Sequence, residues 1–283
     1  MRSVSYDEGV SDYDFDQLRT LTRRTRGRIL ELYAEHQIAH LGSCLSVVEI
    51  LSTLMARHLR DFSPEVFDPN GDALILSKGH AAVALYCLLE EFGFVGSSEI
   101  ENMAGPGSKF EEHPNFHIPT VLTATGSLGH GLPFANGLAL AGKVQGLENR
   151  IFVVMSDGEC NEGTVWEACL FANANNLANV TVLVDNNGWQ ATGRITETMP
   201  NLDLSEMFRS FGWHASEIDG HNLEALDDAL VSAKSDGRPS AIVCKTRKGK
   251  GVSFMEDDNN WHYRAPSQTE LESAMRELQI RYA

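Results

Sequence analysis

Positive charge is scarce in this chain. Its 283 residues carry 23 Lys and Arg against 39 Asp and Glu, a formal net charge of −16. Proteins that follow a phosphate backbone rely on clustered Lys and Arg to displace counterions, so nucleic acid is excluded as a partner. An anionic small substrate would have to be drawn in by cations lying within roughly 10 Å of it, the reach of a charge at ordinary salt. Lys245, Arg247, Lys248 and Lys250 form one such local group, and they read equally well as a solvated strand-to-loop segment. Long apolar runs are missing too. None approaches the roughly 20 residues that cross a bilayer, and the first residues are acidic, unlike a basic-then-apolar signal peptide. Cysteine is sparse: Cys44, Cys87, Cys160, Cys169 and Cys244 are odd in number and contain no Cys-x-x-Cys pair. Neither a disulfide framework nor a zinc knuckle follows from that spacing. Internal repeats and low-complexity segments are also absent, and the expectation is a soluble cytoplasmic protein with reduced cysteines and no membrane contact.

What is present is an alternation of strand and helix patterns. The apolar runs 151–155 and 180–184 read as buried strands of a parallel sheet, with a helical pattern over about 164–176 between them. Residues 73–76 and 241–245 read as further strands. Helices are predicted over 18–32, 46–59, 81–92, 99–103, 131–144, 204–211, 223–234 and 269–278, the last opened by a Ser267/Glu270 capping box. The helix at 131–144 is rich in Ala and Gly, which suits close contact with a sheet or with another protein chain. Residues 105–119 form an irregular loop rich in His and Pro. This rhythm specifies an α/β fold with one doubly wound, mostly parallel sheet flanked by helices. An acidic N-terminal arm occupies 1–17, and a single domain with a C-terminal helix occupies 18–283.

The most informative stretch is Ser156-Asp157-Gly158-Glu159-Cys160-Asn161-Glu162-Gly163, followed by Asp185-Asn186-Asn187. A right-handed crossover puts the C-terminal ends of both strands on one edge of the sheet, where ligands of open α/β sheets bind. Asp157 and Asn187 sit at those ends. One carboxylate, one amide oxygen and a diphosphate would nearly complete the octahedral oxygen shell of Mg²⁺, and Gly158 lets a phosphate approach the backbone. Viewed alone, Asp-Gly after a strand is also an ordinary turn and Asn-Asn-Gly an ordinary loop. The His36/His40 and His113/His117 pairs have an i, i+4 spacing that could suggest zinc. Neither has the His-Glu-x-x-His form, and Pro114 and Pro119 oppose a helix around the second. The glycines of Gly126-x-x-Gly129-x-Gly131 have the wrong order for a dinucleotide loop.

Together these residues resemble the diphosphate-binding half of transketolase. The resemblance runs from about Leu21 to Pro266 and includes Ala39-His40-Leu41-Gly42-Ser43, Leu76-Ser77-Lys78-Gly79-His80-Ala81, His113-Pro114 and Thr125-Gly126-Ser127-Leu128-Gly129-His130-Gly131. It continues through Phe211-Gly212-Trp213, Asp219-Gly220-His221 and Lys248-Gly249-Lys250-Gly251, leading to Trp261-His262. It implies a thiamine diphosphate cofactor held through Mg²⁺, with Ca²⁺ or Mn²⁺ as alternatives. By resemblance the metal takes Asp157, Asn187 and the carbonyl of Trp189, and the cofactor contacts His80, Gly126, Ser127, Leu128, Gly158, Glu159 and His262. His40, His113, His262 and Glu162 take the catalytic roles, with imidazoles polarising a ketose carbonyl and moving protons. Glu162 on its own reads equally well as an early helix residue favoured by the dipole.

The implied reaction moves a two-carbon ketol unit from a ketose to an aldose. In this family a second, pyrimidine domain completes the cofactor cleft, and none follows Ala283. The expectation is therefore a split transketolase, an α2β2 heterotetramer with a separate C-terminal subunit that also supplies the arginines for a sugar phosphate. Three departures from the family pattern stand out: Ser156 for the first glycine of Gly-Asp-Gly, Trp189 for a smaller aliphatic residue, and His130 for a frequent Gln. They open the way to a specialised sugar or a 2-oxo acid donor. The alternatives are a component of another thiamine-diphosphate enzyme, such as a 2-oxo acid dehydrogenase or an acyloin-forming synthase, and a non-catalytic partner-binding subunit.

Overall fold

A computed structural model of the chain describes residues 13–62, 68–200 and 203–280, so most of the expected acidic arm lies outside the described residues. Five strands, β1 (Ala73–Leu76), β2 (Ile151–Ser156), β3 (Val180–Asn186), β4 (His214–Asp219) and β5 (Ser240–Lys245), form one sheet in the order β1-β2-β3-β5-β4. Every neighbouring pair is parallel. The register aligns Ser156 with Asp185 and Asp185 with Cys244, which brings the C-terminal ends of β2, β3 and β5 to one level.

The helices in chain order are α1 (Phe15–His36), α2 (Leu41–Ser46), α3 (Val48–Thr53), α4 (Ala82–Glu91), α5 (Ser97–Glu101), α6 (Gly131–Gln145), α7 (Gly163–Ala174), α8 (Ile195–Thr198), α9 (Leu204–Ser210), α10 (Leu223–Ser235) and α11 (Gln268–Glu277). They cover both faces of the sheet. Leu74, Leu76, Phe152, Val154, Leu183 and Ile242 point into a core shared with α1 to α4, α10 and α11. The alternate residues Ile75, Val153, Met155, Val182, Val184 and Val243 point into a second core shared with α6, α7 and α9. Side chains alternate across a strand, so strands apolar at every position are those buried on both faces, as the runs at 151–155 and 180–184 predict.

Several elements differ from expectation. The helix expected over 18–32 runs from Phe15 to His36, because Asp14 and Gln17 close a capping box at its start and Gln37 ends it in the left-handed conformation. The helix expected over 46–59 is split at Val47 and finishes as a π-helix at Leu54–His58, where the Leu59 amide reaches the Leu54 carbonyl at 3.0 Å. β4 is an element that hydrophobic patterning misses: it is an edge strand, and Ala215 is its one buried residue. The small residues of α6 serve the sheet. Ala135, Ala139 and Gly142 are buried against β2 and α7, and the Asn136 amide donates to the Ala168 carbonyl at 2.8 Å. The Ser267/Glu270 capping box opens α11 as expected.

Candidate active site

Four strand ends converge on one edge. β1 is followed by Ser77, Lys78 and His80, β2 by Asp157, Gly158 and Glu159, β3 by Asn187 and β5 by Thr246 and Lys248, while Asp185 is the penultimate residue of β3. Beneath them lies a buried charge pair. Lys78 and Asp185 are fully buried and form an ion pair, and Lys78 Nζ also donates to the Ser43 carbonyl at 3.3 Å. Asp185 accepts a hydrogen bond from Ser46 Oγ at 2.6 Å and another from the Thr246 hydroxyl. Burial would raise the Asp185 carboxyl, but the Lys78 charge and these donors outweigh it and hold it below the usual carboxylate range. That pair fixes the floor of the site.

Asp157 is buried above it. Its Oδ1 accepts from the Gly158 amide at 2.9 Å and its Oδ2 from the Gly188 amide at 2.7 Å. Burial, reinforced by the nearby Asp185 charge, nevertheless pushes its pKa up to about 7. Asn187 Oδ1 accepts from the Trp189 amide at 3.1 Å. Residues 189 and 194 then pair as an antiparallel bridge, closed by hydrogen bonds from the Gln190 amide to the Gly193 carbonyl and from the Ile195 amide to the Gly188 carbonyl. This is a non-hydrogen-bonded pair, so the Trp189 carbonyl is left off the ladder. Among the described residues no donor reaches it. A carboxylate penalised for its charge, an amide oxygen and an unengaged carbonyl on adjacent loops are the hard oxygen donors that a divalent cation such as Mg²⁺ takes. The residues fit that ion. Among the described residues there is no group of three or more His, Cys, Asp or Glu suited to a metal.

Four histidines gather across the cleft. The His40 ring centroid lies 4.9 Å from His262, 5.5 Å from His80 and 5.8 Å from His113. Burial lowers the pKa of His40; burial together with the Lys78 charge holds His80 well below its ordinary value, and burial together with Lys248 and His40 brings His262 down to about 3. These three rings are neutral at physiological pH. Lys248 Nζ lies 2.9 Å from His262 Nδ1, and burial together with the Lys78 charge brings Lys248 down to about 7. His40 Nδ1 is 3.8 Å from Glu112 Oε2, without a hydrogen bond. Gly126 is required by this cluster, for at its φ of 132° a Cβ would lie 2.5 Å from the His113 ring.

The cleft encloses about 540 Å³. Of the expected site residues, His40, His80, His113, His262, Gly126, Leu128, Gly158, Glu162, Asn187 and Trp189 line it. Ser127 is exposed beside it. Asp157 and Glu159 are buried behind its wall. Glu159 ties three segments together, accepting from the Ser77 hydroxyl, from the Gly129 amide at 2.8 Å and from the Ser156 amide at 3.3 Å. Glu162 is exposed at the mouth and makes no ion pair among the described residues. Ser156 turns its hydroxyl to the Glu159 amide at 3.2 Å, and His130 is exposed outside the cleft.

The basic group at 245–250 proves not to be a free anion trap. Lys245 pairs with Glu217, while Arg247 and Lys250 both pair with Glu256. Lys248 is buried on His262 and on Asn259 Oδ1, at 2.6 Å. Sequence reasoning missed Lys78, Asp185 and Lys248 as site residues. The available signal was a lone charge at the end of an apolar strand, which at a buried position needs a partner.

Comparison with known proteins agrees with this geometry. Residues 23–281 match the family model for the transketolase thiamine diphosphate binding domain. The chain belongs to the transketolase family. It is an α/β, thiamine-diphosphate-binding member, and the family's transferase chemistry, passage of a ketol unit, comes with that membership. It is 36% identical over 266 residues to an apulose-4-phosphate transketolase subunit of Actinobacillus succinogenes, covering 93% of this chain and 96% of that protein. It is 34% identical over 252 residues to the 6-deoxy-6-sulfo-D-fructose transketolase subunit SqwG of Clostridium sp. strain MSTE9, covering 88% of this chain and 92% of that one. The transketolase crystal structure from Campylobacter jejuni superposes with a TM-score of 0.89 at 27% identity, covering 95% of this chain and 43% of that chain. This transketolase chain thus matches named subunits over nearly their whole length and spans under half of that solved transketolase. Among its described residues no helix is long and apolar enough to cross a membrane.

Proposed function

We propose that this chain is the diphosphate-holding component of a split transketolase, acting on an anionic sugar with a second polypeptide that supplies the pyrimidine domain, in an α2β2 assembly. The observation that carries this reading is the edge just described: a buried carboxylate, an amide oxygen and a carbonyl left off the bridge ladder, at the edge of a cleft lined by four histidines. Mg²⁺ would be held by Asp157, Asn187 and the Trp189 carbonyl, beside diphosphate contacts from His80, Gly158 and His262. Gly126, Ser127 and Leu128 would lie along the remainder of the cofactor. When bound, thiamine diphosphate supplies the carbon nucleophile that the protein lacks.

The chain's own residues orient and manage protons. With Lys248 donating to Nδ1, the proton of the neutral His262 ring would sit on Nε2, where it could be offered to a substrate or phosphate oxygen. His40, whose ring centre is 4.9 Å from that of His262, and His113 next to it would serve as donors or acceptors for sugar hydroxyls. Glu162, which makes no ion pair among the described residues and is exposed, would join a carboxylate network with the second polypeptide. Lys245, Arg247 and Lys250 each pair with a glutamate, and the cations for a phosphate or sulfonate tail would come from that polypeptide. The test is reconstitution: the isolated chain should be inactive, and should gain ketol transfer with a pyrimidine-domain polypeptide, Mg²⁺ and thiamine diphosphate. Activity of the isolated chain, or a reconstituted Asp157→Ala complex that retains cofactor and turnover, would overturn it.

A further inference from the structure

Trp189 is the residue at which the chain departs most in size from the family pattern, and its side chain is not loose in the cleft. The 189–194 bridge puts Trp189 and Arg194 directly opposite each other on the same face, the closest type of cross-strand pair. The Arg194 guanidinium sits 4.0 Å from the centre of the indole. Both side chains then converge on Asp257 from the distant loop that leads to His262: the indole Nε1 donates to Oδ1 at 2.9 Å, and Arg194 donates to Oδ1 at 2.8 Å and to Oδ2 at 2.6 Å. Asp257 is held ready in a left-handed conformation at φ 61°, its amide bonded to the Lys248 carbonyl at 2.9 Å. A second link runs in parallel, where Asn259 Nδ2 donates to the Ala191 carbonyl at 3.1 Å while Asn259 Oδ1 takes the Lys248 ammonium.

Energetics say what this arrangement is for. Arg194 and Asp257 side chains are 39% and 48% exposed, and an ion pair that open contributes little to global stability. A bidentate fork that also closes on an indole has, instead, a strong orienting effect, because three donors on one carboxylate admit few geometries. The atoms it orients belong to the hairpin whose bridge leaves the Trp189 carbonyl unengaged.

We propose that Arg194 and Asp257 are positioning residues which clasp the Trp189 indole, locking the 189–194 hairpin to the His262 loop so that the Trp189 carbonyl is presented to the metal. This rests on the metal reading given above. The clasp is intrinsic to this chain and spans the cleft from the β3 side to the β5 side. A hairpin freed from Asp257 would still fold locally, but nothing on the His262 loop would then fix the orientation of its Trp189 peptide.

The test uses the full chain with Asp257→Asn, which keeps a side chain tolerant of left-handed backbone, and Arg194→Met, which keeps length without charge. Hydrogen exchange of the Gln190 and Ile195 amides reports hairpin closure without any metal, and both should exchange at least tenfold faster in each variant. Mn²⁺ titration followed by water-proton relaxation, with saturating thiamine diphosphate, should show at least fivefold weaker binding, while the thermal midpoint moves by less than about 2 °C. Exchange rates and Mn²⁺ affinity within twofold of the unaltered chain would overturn the clasp. Asp157→Asn separates the two ideas. If it too leaves Mn²⁺ binding intact, or the unaltered chain binds none, the metal reading fails; if it abolishes binding while the clasp variants bind normally, only the clasp fails.

Discussion

Replacing Lys78 with methionine should be among the most damaging single changes available, although Lys78 touches no solvent. The substitution keeps volume and removes the charge, leaving Asp185 fully buried with hydrogen bonds from Ser46 and Thr246 but no counter-ion. Removing one partner of a buried ion pair destabilises by about 3 to 5 kcal/mol. The surviving hydroxyl donors place this case at the lower end. With about 2.1 cal/mol/K of unfolding entropy per residue, 283 residues give roughly 0.6 kcal/mol/K, so a loss of about 3 kcal/mol should lower the thermal midpoint by about 5 °C. The Lys78 charge also opposes the upward shift of Asp157, so the variant should bind Mg²⁺ more weakly below neutral pH. Differential scanning calorimetry of the unaltered chain, Lys78→Met and Lys78→Met/Asp185→Leu checks the reasoning. The double variant, which buries no lone charge, should recover part of the lost midpoint. A midpoint for Lys78→Met within 1 °C of the unaltered chain, or a double variant worse than both singles combined, would refute the pair as the floor of the site.

Further outcomes can be measured alongside it. Glu49 is buried, which alone would raise its pKa, yet the Arg26 charge and hydrogen bonds from His221 and Arg26 bring it from 4.5 down to about 2. A carboxylate depressed on folding stabilises above its unfolded pKa, and that contribution, roughly 3 kcal/mol, is lost as pH falls from about 4.5 through 2. Urea midpoints from pH 6 to 2 should therefore fall less steeply for Glu49→Gln than for the unaltered chain. Gly126→Ala would force a Cβ into the His113 ring and carry a left-handed strain of about 1 to 3 kcal/mol, so the reconstituted complex should lose ketol transfer far beyond its small drop in thermal midpoint. Stripping divalent cations with EDTA should release thiamine diphosphate, with Mg²⁺ restoring retention in the unaltered chain and not in Asp157→Ala, as equilibrium dialysis would detect.

Much of this architecture was legible in the residues. The apolar runs at 151–155 and 180–184 specify buried parallel strands, and from those alone Asp157 and Asn187 fall on one edge. The Ser267/Glu270 capping box also located the start of α11. What failed to show was of two kinds. β4 escaped because an edge strand with a half-wet face, His-Ala-Ser-Glu-Ile-Asp, carries no apolar excess. The pairs Lys78 with Asp185 and Lys248 with His262, and the meeting of Trp189, Arg194 and Asp257, escaped because nothing in a linear chain announces which distant charge will close on which. The basic group at 245–250 stayed open between two readings for the same reason, its glutamate partners being set by the loop's tertiary course.

The sheet order has a consequence for biogenesis. β5 lies between β3 and β4, so when β4 leaves the ribosome it has no strand to pair with, and β3 presents an open edge until residue 245 has been made. Thr246, Lys248 and His262 arrive later still. The chain therefore passes through a stage with an unguarded β3 flank, the kind of exposure that invites aggregation, and β5 with the segment leading to His262 both seals that flank and finishes this chain's side of the pocket. The strand that closes the sheet is thus the same one that delivers Thr246 and Lys248 to the pocket.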